Sequence, residues 1–138
     1  MSKKGFTLIE LLAVIVLLGV IALITTPVVL TAINNSKKQS LQDTGYSIVQ
    51  AATSYQAKLQ QEGKKTTFSL DFSKNVDRNV LDVKGELPDA GYVEVEASGK
   101  VALALWSDEI NTCVTKSKNS KTVVISKTIT NKAGCVIK

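Results

Sequence analysis

The sequence contains no histidine, and it has only two cysteines, two prolines and one tryptophan in 138 residues. Without histidine the chain lacks the most common general base and the most common metal ligand of proteins. Two thiolates alone would leave a zinc ion short of its usual four ligands. The sequence also lacks a nucleophile–base pair, a phosphate-binding glycine loop and a dinucleotide-binding fingerprint. We therefore expect no enzyme activity, no metal site and no cofactor.

Polar side chains are absent from Leu11 to Ile24. This stretch is the centre of an apolar run from Phe6 to Thr26, about 20 residues, which is long enough as a helix to cross ~30 Å of hydrocarbon. Lys3 and Lys4 precede the run, and such a positive flank keeps the N-terminus in the cytoplasm and sends the rest of the chain outside. Three hypotheses could explain the run. It is a secretory signal peptide, a plain signal anchor, or the start of a mature chain whose precursor is cleaved on the N-terminal side of the run.

Glu10 lies inside this run and separates the three hypotheses. An acidic residue costs roughly 2–3 kcal/mol at the bilayer centre and less near an end, and we expect the segment to supply no partner for it. If the chain is cut after Gly5, the new α-amino group of Phe6 becomes a cation in an equally apolar setting. Glu10 of one subunit would then pair with the Phe6 amine of another. The simpler alternative is an acidic residue tolerated at a helix end, and no A-x-A-like signal peptidase site follows the run.

The stretch KKGFTLIELLAVIVLLGVIALITTPVVL, residues 3–30, resembles the N-terminus of type IV prepilins and pseudopilins. The resemblance implies that a prepilin peptidase cuts between Gly5 and Phe6 and N-methylates Phe6. It also implies that Glu10 guides assembly and that Pro27 marks a kink or loosened part of the helix. The short leader MSKKG looks more like that of Gram-positive prepilins. The resemblance is strong over residues 3–33 and only general over the C-terminal part of the chain.

A helical pattern continues beyond Pro27. Apolar or small residues recur at spacings of three and four, which predicts one face of an amphipathic helix: Leu41, Gly45, Ile48, Ala52, Tyr55 and Leu59. Gln56 and the other glutamines fall mainly on the remaining faces, and Gly63 is a natural stop. The pattern predicts one helix from Phe6 to Glu62.

The sequence after residue 63 predicts a connector and then several strands. TTFSLDF predicts a short strand, and Leu87–Gly91 predicts a turn. Alternating apolar residues over 92–97 and 101–105 predict a hairpin around Ser98-Gly99. Further strands are predicted at Cys113–Lys116, Lys121–Thr130 and Cys135–Ile137.

The predicted fold class is therefore α+β, with a long N-terminal helix packed on a small antiparallel β-sheet head. Residues 1–5 form a prepilin leader and residues 6–33 the apolar transmembrane and assembly half of the helix. Residues 34–63 form its amphipathic half, and residues 64–138 form the connecting αβ-loop and the head.

Cys113 and Cys135 lie in the part of the chain that the topology places outside the cell. An even number of cysteines in an oxidising compartment favours a disulfide, and pairing of the last strands would bring these two together. The alternative is two separate buried thiols.

Charge is distributed unevenly along the chain. Residues 34–109 carry nine basic and eleven acidic side chains, whereas residues 110–138 carry six basic and no acidic ones: Lys116, Lys118, Lys121, Lys127, Lys132 and Lys138. Such a segment attracts nucleic acid, anionic polymers or an acidic neighbouring subunit. A solvated lysine face that protects exposed strands is the simpler interpretation. We therefore expect weak nucleic-acid binding or none, with Trp106 in the core or an interface rather than stacked on bases.

These patterns and the resemblance together predict a type IV pilin subunit that polymerises through its N-terminal helix into a helical filament, a fimbrium used in adhesion or motility. Two alternatives stay open: a minor pilin or pseudopilin of a competence or type II secretion-like machine, and a pilus-borne adhesin or DNA-uptake receptor. The expected partners are copies of this chain, other pilins, the prepilin peptidase and, indirectly, an assembly ATPase and its membrane platform. The protein would span the membrane once before assembly and lie on the cell surface afterwards.

Overall fold

A single long helix forms the N-terminal part of the fold. The structure is a computed structural model that describes residues 5–137, and the chain divides into two compact units, one ending at Ser36 and one starting at Lys37. Helix α1, Leu8–Gln61, runs through both units, in agreement with the predicted helix. At its end Gly63 adopts a left-handed conformation with φ 66°. The N–H groups of Gly63 and Lys64 donate to the carbonyls of Gln60 and Leu59, which is the Schellman arrangement that terminates helices.

In the first unit, every residue from 5 to 36 is exposed. The helical part of this unit is long enough and apolar enough to cross a membrane. An exposed apolar surface of this extent marks a site of contact with lipid or with another protein. The apolar surface of the first unit is therefore suited to contact with lipid or with another protein.

The second unit contains a five-stranded antiparallel sheet whose strands follow one another in chain order. The strands are β1 Phe68–Asp71, β2 Ala90–Val95, β3 Val101–Ser107, β4 Thr112–Lys116 and β5 Val124–Ile125. A short helix α2, Asn75–Arg78, follows β1, and a 3-10 helix, Lys132–Gly134, lies near the C-terminus. Together with α1 this sheet gives the predicted α+β fold.

The C-terminal half of α1 packs on one face of the sheet. Leu41, Ile48 and Ala52 of α1 are buried in a cluster with alternate residues of β2 and β3: Val93, Val95, Val101, Leu103 and Leu105. The predicted apolar stripe of the helix is thus the face that meets the sheet. Gln56 is an exception, because this glutamine was predicted on another face and is buried beside Ala52. Its amide Nε2 donates to the carbonyl oxygens of Thr66 (3.1 Å) and Glu96 (2.6 Å), and these hydrogen bonds offset the cost of burying the amide.

The predicted turn at Leu87–Gly91 is wrong at its last two residues, which belong to a strand. Strand β2 begins at Ala90, so Gly91 lies within the sheet opposite Leu105. A Cβ atom at residue 91 would lie 2.4 Å from the carbonyl oxygen of Ala104, and φ is 147°. The glycine therefore permits a close approach of two strands rather than a reversal of the chain.

The last predicted strands are mostly wrong. Only Val124–Ile125 of the predicted Lys121–Thr130 strand pairs with β4, and Cys135–Ile137 follows the 3-10 helix instead of forming a strand. At Val123, just before the two paired residues, the backbone groups bond to side chains of α1 instead of to a neighbouring strand. The Val123 N–H donates to the Tyr46 hydroxyl (3.2 Å), and the Val123 carbonyl accepts from Gln42 Nε2 (2.6 Å). We call residues 117–137 the C-terminal strap.

Strand β1 forms one edge of the sheet. At Asp71 the backbone N–H donates to the Asp77 carboxylate (3.0 Å), and the backbone carbonyl accepts from the Lys74 N–H (2.9 Å). The next residue, Phe72, donates its N–H toward β2, to the Gly91 carbonyl. Because backbone groups of successive strand residues point in opposite directions, the bonded groups of Asp71 are those on the free edge.

Candidate processing and assembly segment

The residues on either side of the predicted cleavage site lie before the helix. Gly5, Phe6 and Thr7 have no regular secondary structure, and α1 begins at Leu8. The Phe6 side chain is 89% exposed, and the space around Gly5 is open. Within the part of the chain that the structure describes, the Gly5–Phe6 peptide bond is therefore exposed.

Thr7 and Glu10 form a reciprocal capping box at the start of α1. The Thr7 N–H and the Thr7 hydroxyl both donate to Glu10 Oε2 at 2.9 Å, and the Glu10 N–H donates to Thr7 Oγ1 at 3.4 Å. The Thr7 carbonyl accepts the first helical bond, from the Leu11 N–H. This arrangement is the Ser/Thr-x-x-Glu motif, in which the first and fourth residues each satisfy the other's backbone N–H.

The capping box corrects the expectation that the segment offers Glu10 no partner. Sequence reasoning sought an opposite charge and missed that a helix start presents backbone N–H groups without acceptors. The pattern Thr-Leu-Ile-Glu before an apolar run was the signal that would have found it. The carboxylate thus has a function within one chain, and both hydrogen bonds that it accepts there go to Oε2.

Pro27 lies inside α1, and the helical assignment continues through it. Proline has no N–H to donate to the carbonyl four residues earlier, here that of Leu23. Threonine hydroxyls on both sides of it donate to carbonyls within the helix. Those of Thr25 and Thr26 bond to Ile21 and Ala22 (3.0 and 2.7 Å), and that of Thr31 bonds to Pro27 (3.0 Å). Such bonds satisfy a hydroxyl in an apolar setting and tend to bend helices, so a kink at Pro27 stays a prediction.

Cys113 and Cys135 are joined by a disulfide, with a Cα–Cα distance of 5.7 Å. The bond attaches the C-terminal strap to β4 on the side of the sheet away from α1. There the two cysteines form a second buried cluster with Ala90, Ala104 and Trp106. Trp106 is 3% exposed, and its Nε1 donates to Asp108 Oδ1 at 2.7 Å. The tryptophan is therefore a core residue and not an open stacking platform.

Three of the six C-terminal lysines have partners within the head. Lys116 is buried and its Nζ donates to the Val101 carbonyl (2.6 Å), and this burial lowers the pKa of its ammonium group. Lys118 pairs with Glu96 (2.9 Å) and Glu94 (3.8 Å), and its hydrogen bond to Glu96 raises its pKa. Lys132 lies 3.3 Å from the Asp108 carboxylate. Lys138 lies outside the described residues. The segment is therefore less available to an anionic ligand than its sequence charge indicates.

Among residues 5–137, no group of three histidine, cysteine, aspartate or glutamate side chains lies close enough together to hold a metal ion. The described residues therefore offer no candidate metal centre.

Comparison with protein families supports the resemblance of the N-terminus. Residues 1–26 match the family model described as the prokaryotic N-terminal methylation motif, the cleavage and methylation signature of type IV prepilin-like proteins. Searches of curated proteins and of solved structures find no match. The motif indicates a type IV pilin-like, prepilin-type protein, which points to a structural role rather than catalysis. It fits membrane anchoring before assembly and implies processing by a prepilin peptidase.

Proposed function

We propose that this chain is a type IV pilin subunit, cut between Gly5 and Phe6, methylated on Phe6 and polymerised through α1 into a surface filament. One observation carries the proposal. A cleavage and methylation motif stands at the head of a helix whose residues 8–36 are all exposed. Removal of the leader would leave an apolar helix with a charged N-terminus, which is suited first to a bilayer and then to a bundle of identical helices.

The charges of the chain support an outward-facing head. The two lysines of the leader favour a cytoplasmic N-terminus by the positive-inside rule. The Cys113–Cys135 disulfide lies in the head, and disulfides persist mainly in oxidising compartments outside the cytoplasm. We therefore place the protein as a single-pass membrane precursor whose head enters the filament surface after assembly.

The intact mass of the mature protein tests the proposal. Protein purified from cells that carry the prepilin peptidase should lack residues 1–5 and carry one additional methyl group on Phe6. Cells without the peptidase should retain the full-length chain, which is the matched control. A mature chain that begins beyond Ile24 would instead indicate ordinary signal peptide removal and would contradict the proposal.

A minor pilin or pseudopilin would share this chemistry and differ in abundance. Sheared surface filaments separated on a gel distinguish these roles, because a major pilin forms the bulk of the fibre. If the chain is absent from sheared fibres while the membrane pool is mature, the minor or pseudopilin role is supported.

A pilus-borne adhesin or DNA-uptake receptor ranks lower. Lys116, Lys118 and Lys132 already have partners in the head, and lysines without groups that read bases give only salt-sensitive phosphate attraction. DNA titrated against the detergent-solubilised protein should bind weakly at low salt and not at physiological salt. Tight binding at physiological salt would favour the receptor role.

A further inference from the structure

The cleavage site lies outside the helix by a margin of only two residues. Phe6 and Thr7 separate the Gly5–Phe6 peptide bond from Leu8, where α1 begins. Proteases act on extended or locally unfolded segments, because helical backbone is held by its own hydrogen bonds. The residue at which α1 begins therefore decides whether the Gly5–Phe6 bond lies in extended backbone that a peptidase active site can bind.

The start of α1 is fixed by the hydrogen bonds between Thr7 and Glu10. Thr7 occupies the capping position and Glu10 the third helical position, and each accepts the other's N–H. Gly5, just upstream, is a poor helix former. From the geometry we propose that Thr7 is a positioning residue for leader cleavage, which keeps the Gly5–Phe6 bond in extended backbone by starting the helix at Leu8. This inference rests on the proposed cleavage at that bond.

Loss of the cap should extend the helix toward the leader rather than shorten it. The first N–H groups of any helix need acceptors outside the helix. In an apolar segment an unsatisfied N–H costs several kcal/mol in hydrocarbon, so a helix start that retreats into the bilayer is unfavourable. If the start moves upstream, the N–H groups without acceptors belong to residues nearer to water, and Gly5 and Phe6 enter the first turn.

Kinetics with the full-length precursor and purified prepilin peptidase in detergent micelles test the inference. Thr7→Val keeps the shape of the side chain and removes the hydroxyl, whereas Thr7→Ser keeps the hydroxyl. If Thr7→Val leaves only a fraction of the substrate in the extended form, the apparent KM rises by the inverse of that fraction and kcat is unchanged. We expect an increase in KM of about five-fold, the factor that corresponds to a typical cap, and a return to within about two-fold of wild type for Thr7→Ser.

Substitutions at residue 10 supply a second, independent readout. Gln at this position can complete a capping box as Glu does, so Glu10→Gln should be cleaved like wild type, whereas Glu10→Ala should show the raised KM. The double variant Thr7→Val with Glu10→Ala should be no worse than either single variant, because the two residues form one unit. Thr31→Val is the matched control: it removes a hydroxyl bond to a helix carbonyl far from the cleavage site and should be cleaved like wild type.

A chemical-shift measurement reports the helix start directly. The Cα shift of labelled Phe6 in the uncleaved precursor should move toward helical values in Thr7→Val and not in Thr7→Ser. A fall in kcat without this shift would mean that the peptidase contacts Thr7 itself, and it would overturn the inference. So would wild-type kinetics for Thr7→Val. If the wild-type chain is not cut at Gly5–Phe6 at all, the proposed function fails, which is a different and distinguishable result.

Discussion

At the scale of single residues, Glu10 has one observed role and one proposed role, and one substitution can separate them. Within a chain its carboxylate caps α1 through Oε2. In the proposed filament we expect its charge to pair with the Phe6 amine of a neighbour. The first role requires only a hydrogen-bond acceptor, which glutamine also supplies. The second role requires a negative charge.

We therefore predict that Glu10→Gln is processed normally but assembles poorly. Filament yield should fall about ten-fold or more, since an unpaired buried charge costs about 3–5 kcal/mol. Sheared filament and membrane-bound mature subunit are measured side by side. Glu62→Gln removes a charge just beyond the other end of α1, far from the apolar half of the helix, and should assemble like wild type. Normal filament yield for Glu10→Gln would rule out a required charge pair.

Asp108 links acidity to the stability of the head. The hydrogen bond that its carboxylate accepts from Trp106, and then the contact with Lys132, lower the pKa of its carboxyl group. Its backbone N–H donates to Oδ2 of Asp89. A carboxyl whose pKa is lower in the folded than in the unfolded chain stabilises the fold above the unfolded pKa, about 3.9 for aspartate. That contribution is lost as the pH falls through the folded pKa.

We accordingly predict that Asp108→Asn reduces the loss of melting temperature between pH 5 and pH 3. Trp106 is the only tryptophan of the chain, so its fluorescence gives the melting curve. Asp82→Asn, in an exposed loop, is the control and should keep the wild-type pH dependence. If Asp108→Asn has the wild-type dependence as well, the Asp108 contacts do not contribute to acid sensitivity.

At the scale of elements, the contact between α1 and the C-terminal strap depends on a missing side chain. Gly45 lies within α1, and a Cβ atom there would lie 2.8 Å from Val123 Cγ1. Val123 is 1% exposed, so it has little room to move. The helix thus carries a residue of low helix propensity where Val123 of the strap packs against it.

Gly45→Ala should destabilise the head although alanine favours the helix by about 1 kcal/mol, because overpacking a filled core typically costs about 1–3 kcal/mol. Adding Val123→Ala should recover part of the loss, so that the double variant is more stable than the sum of the single effects predicts. Melting curves of the four proteins decide this. Gly19→Ala, a helix glycine with open space around it, should leave the melting of the head unchanged. Additive effects would exclude the steric contact.

The sequence predicts the elements that have strong local patterns and fails where side chains replace the backbone ladder. The apolar run, the helical stripe and the hairpin of β2 and β3 follow from periodicity and are observed. The strap is not predictable in this way, because its position depends on Gln42 and Tyr46, more than 70 residues away in sequence. Gln56 and Thr7 were missed for a different reason: their importance comes from backbone groups that need hydrogen-bond partners.

At the scale of the whole molecule, the disulfide closes the head by holding the strap over the second cluster. The two cysteines are 22 residues apart, and closing such a loop restricts the unfolded chain by roughly 3 kcal/mol in the chain-entropy model. That is a large share of a typical domain stability of about 5–15 kcal/mol. The strap adds only two residues to the sheet, so it depends strongly on this bond.

We predict that Cys113→Ser combined with Cys135→Ser lowers the melting temperature by at least about 10 °C, given a shift of about 4–8 °C per kcal/mol for a small domain. Trp106 fluorescence should also move toward that of an exposed indole, since the strap covers the cluster that contains it. Wild-type protein with a reducing agent is the matched control for the loss of the bond alone. An unchanged melting temperature in both samples would show that packing, not the disulfide, holds the strap.

The free edge of β1 could pair with the sheet of another head, and this risk is greatest where many heads lie side by side. An open sheet edge can pair with another chain, and crowding in the proposed filament would raise the local concentration of such edges greatly. At Asp71 both edge groups are already bonded, to Asp77 and to the Lys74 N–H. An incoming strand would have to break these bonds before it could align. At the Asp71 end of β1, pairing between the sheets of neighbouring heads in the proposed filament is therefore disfavoured.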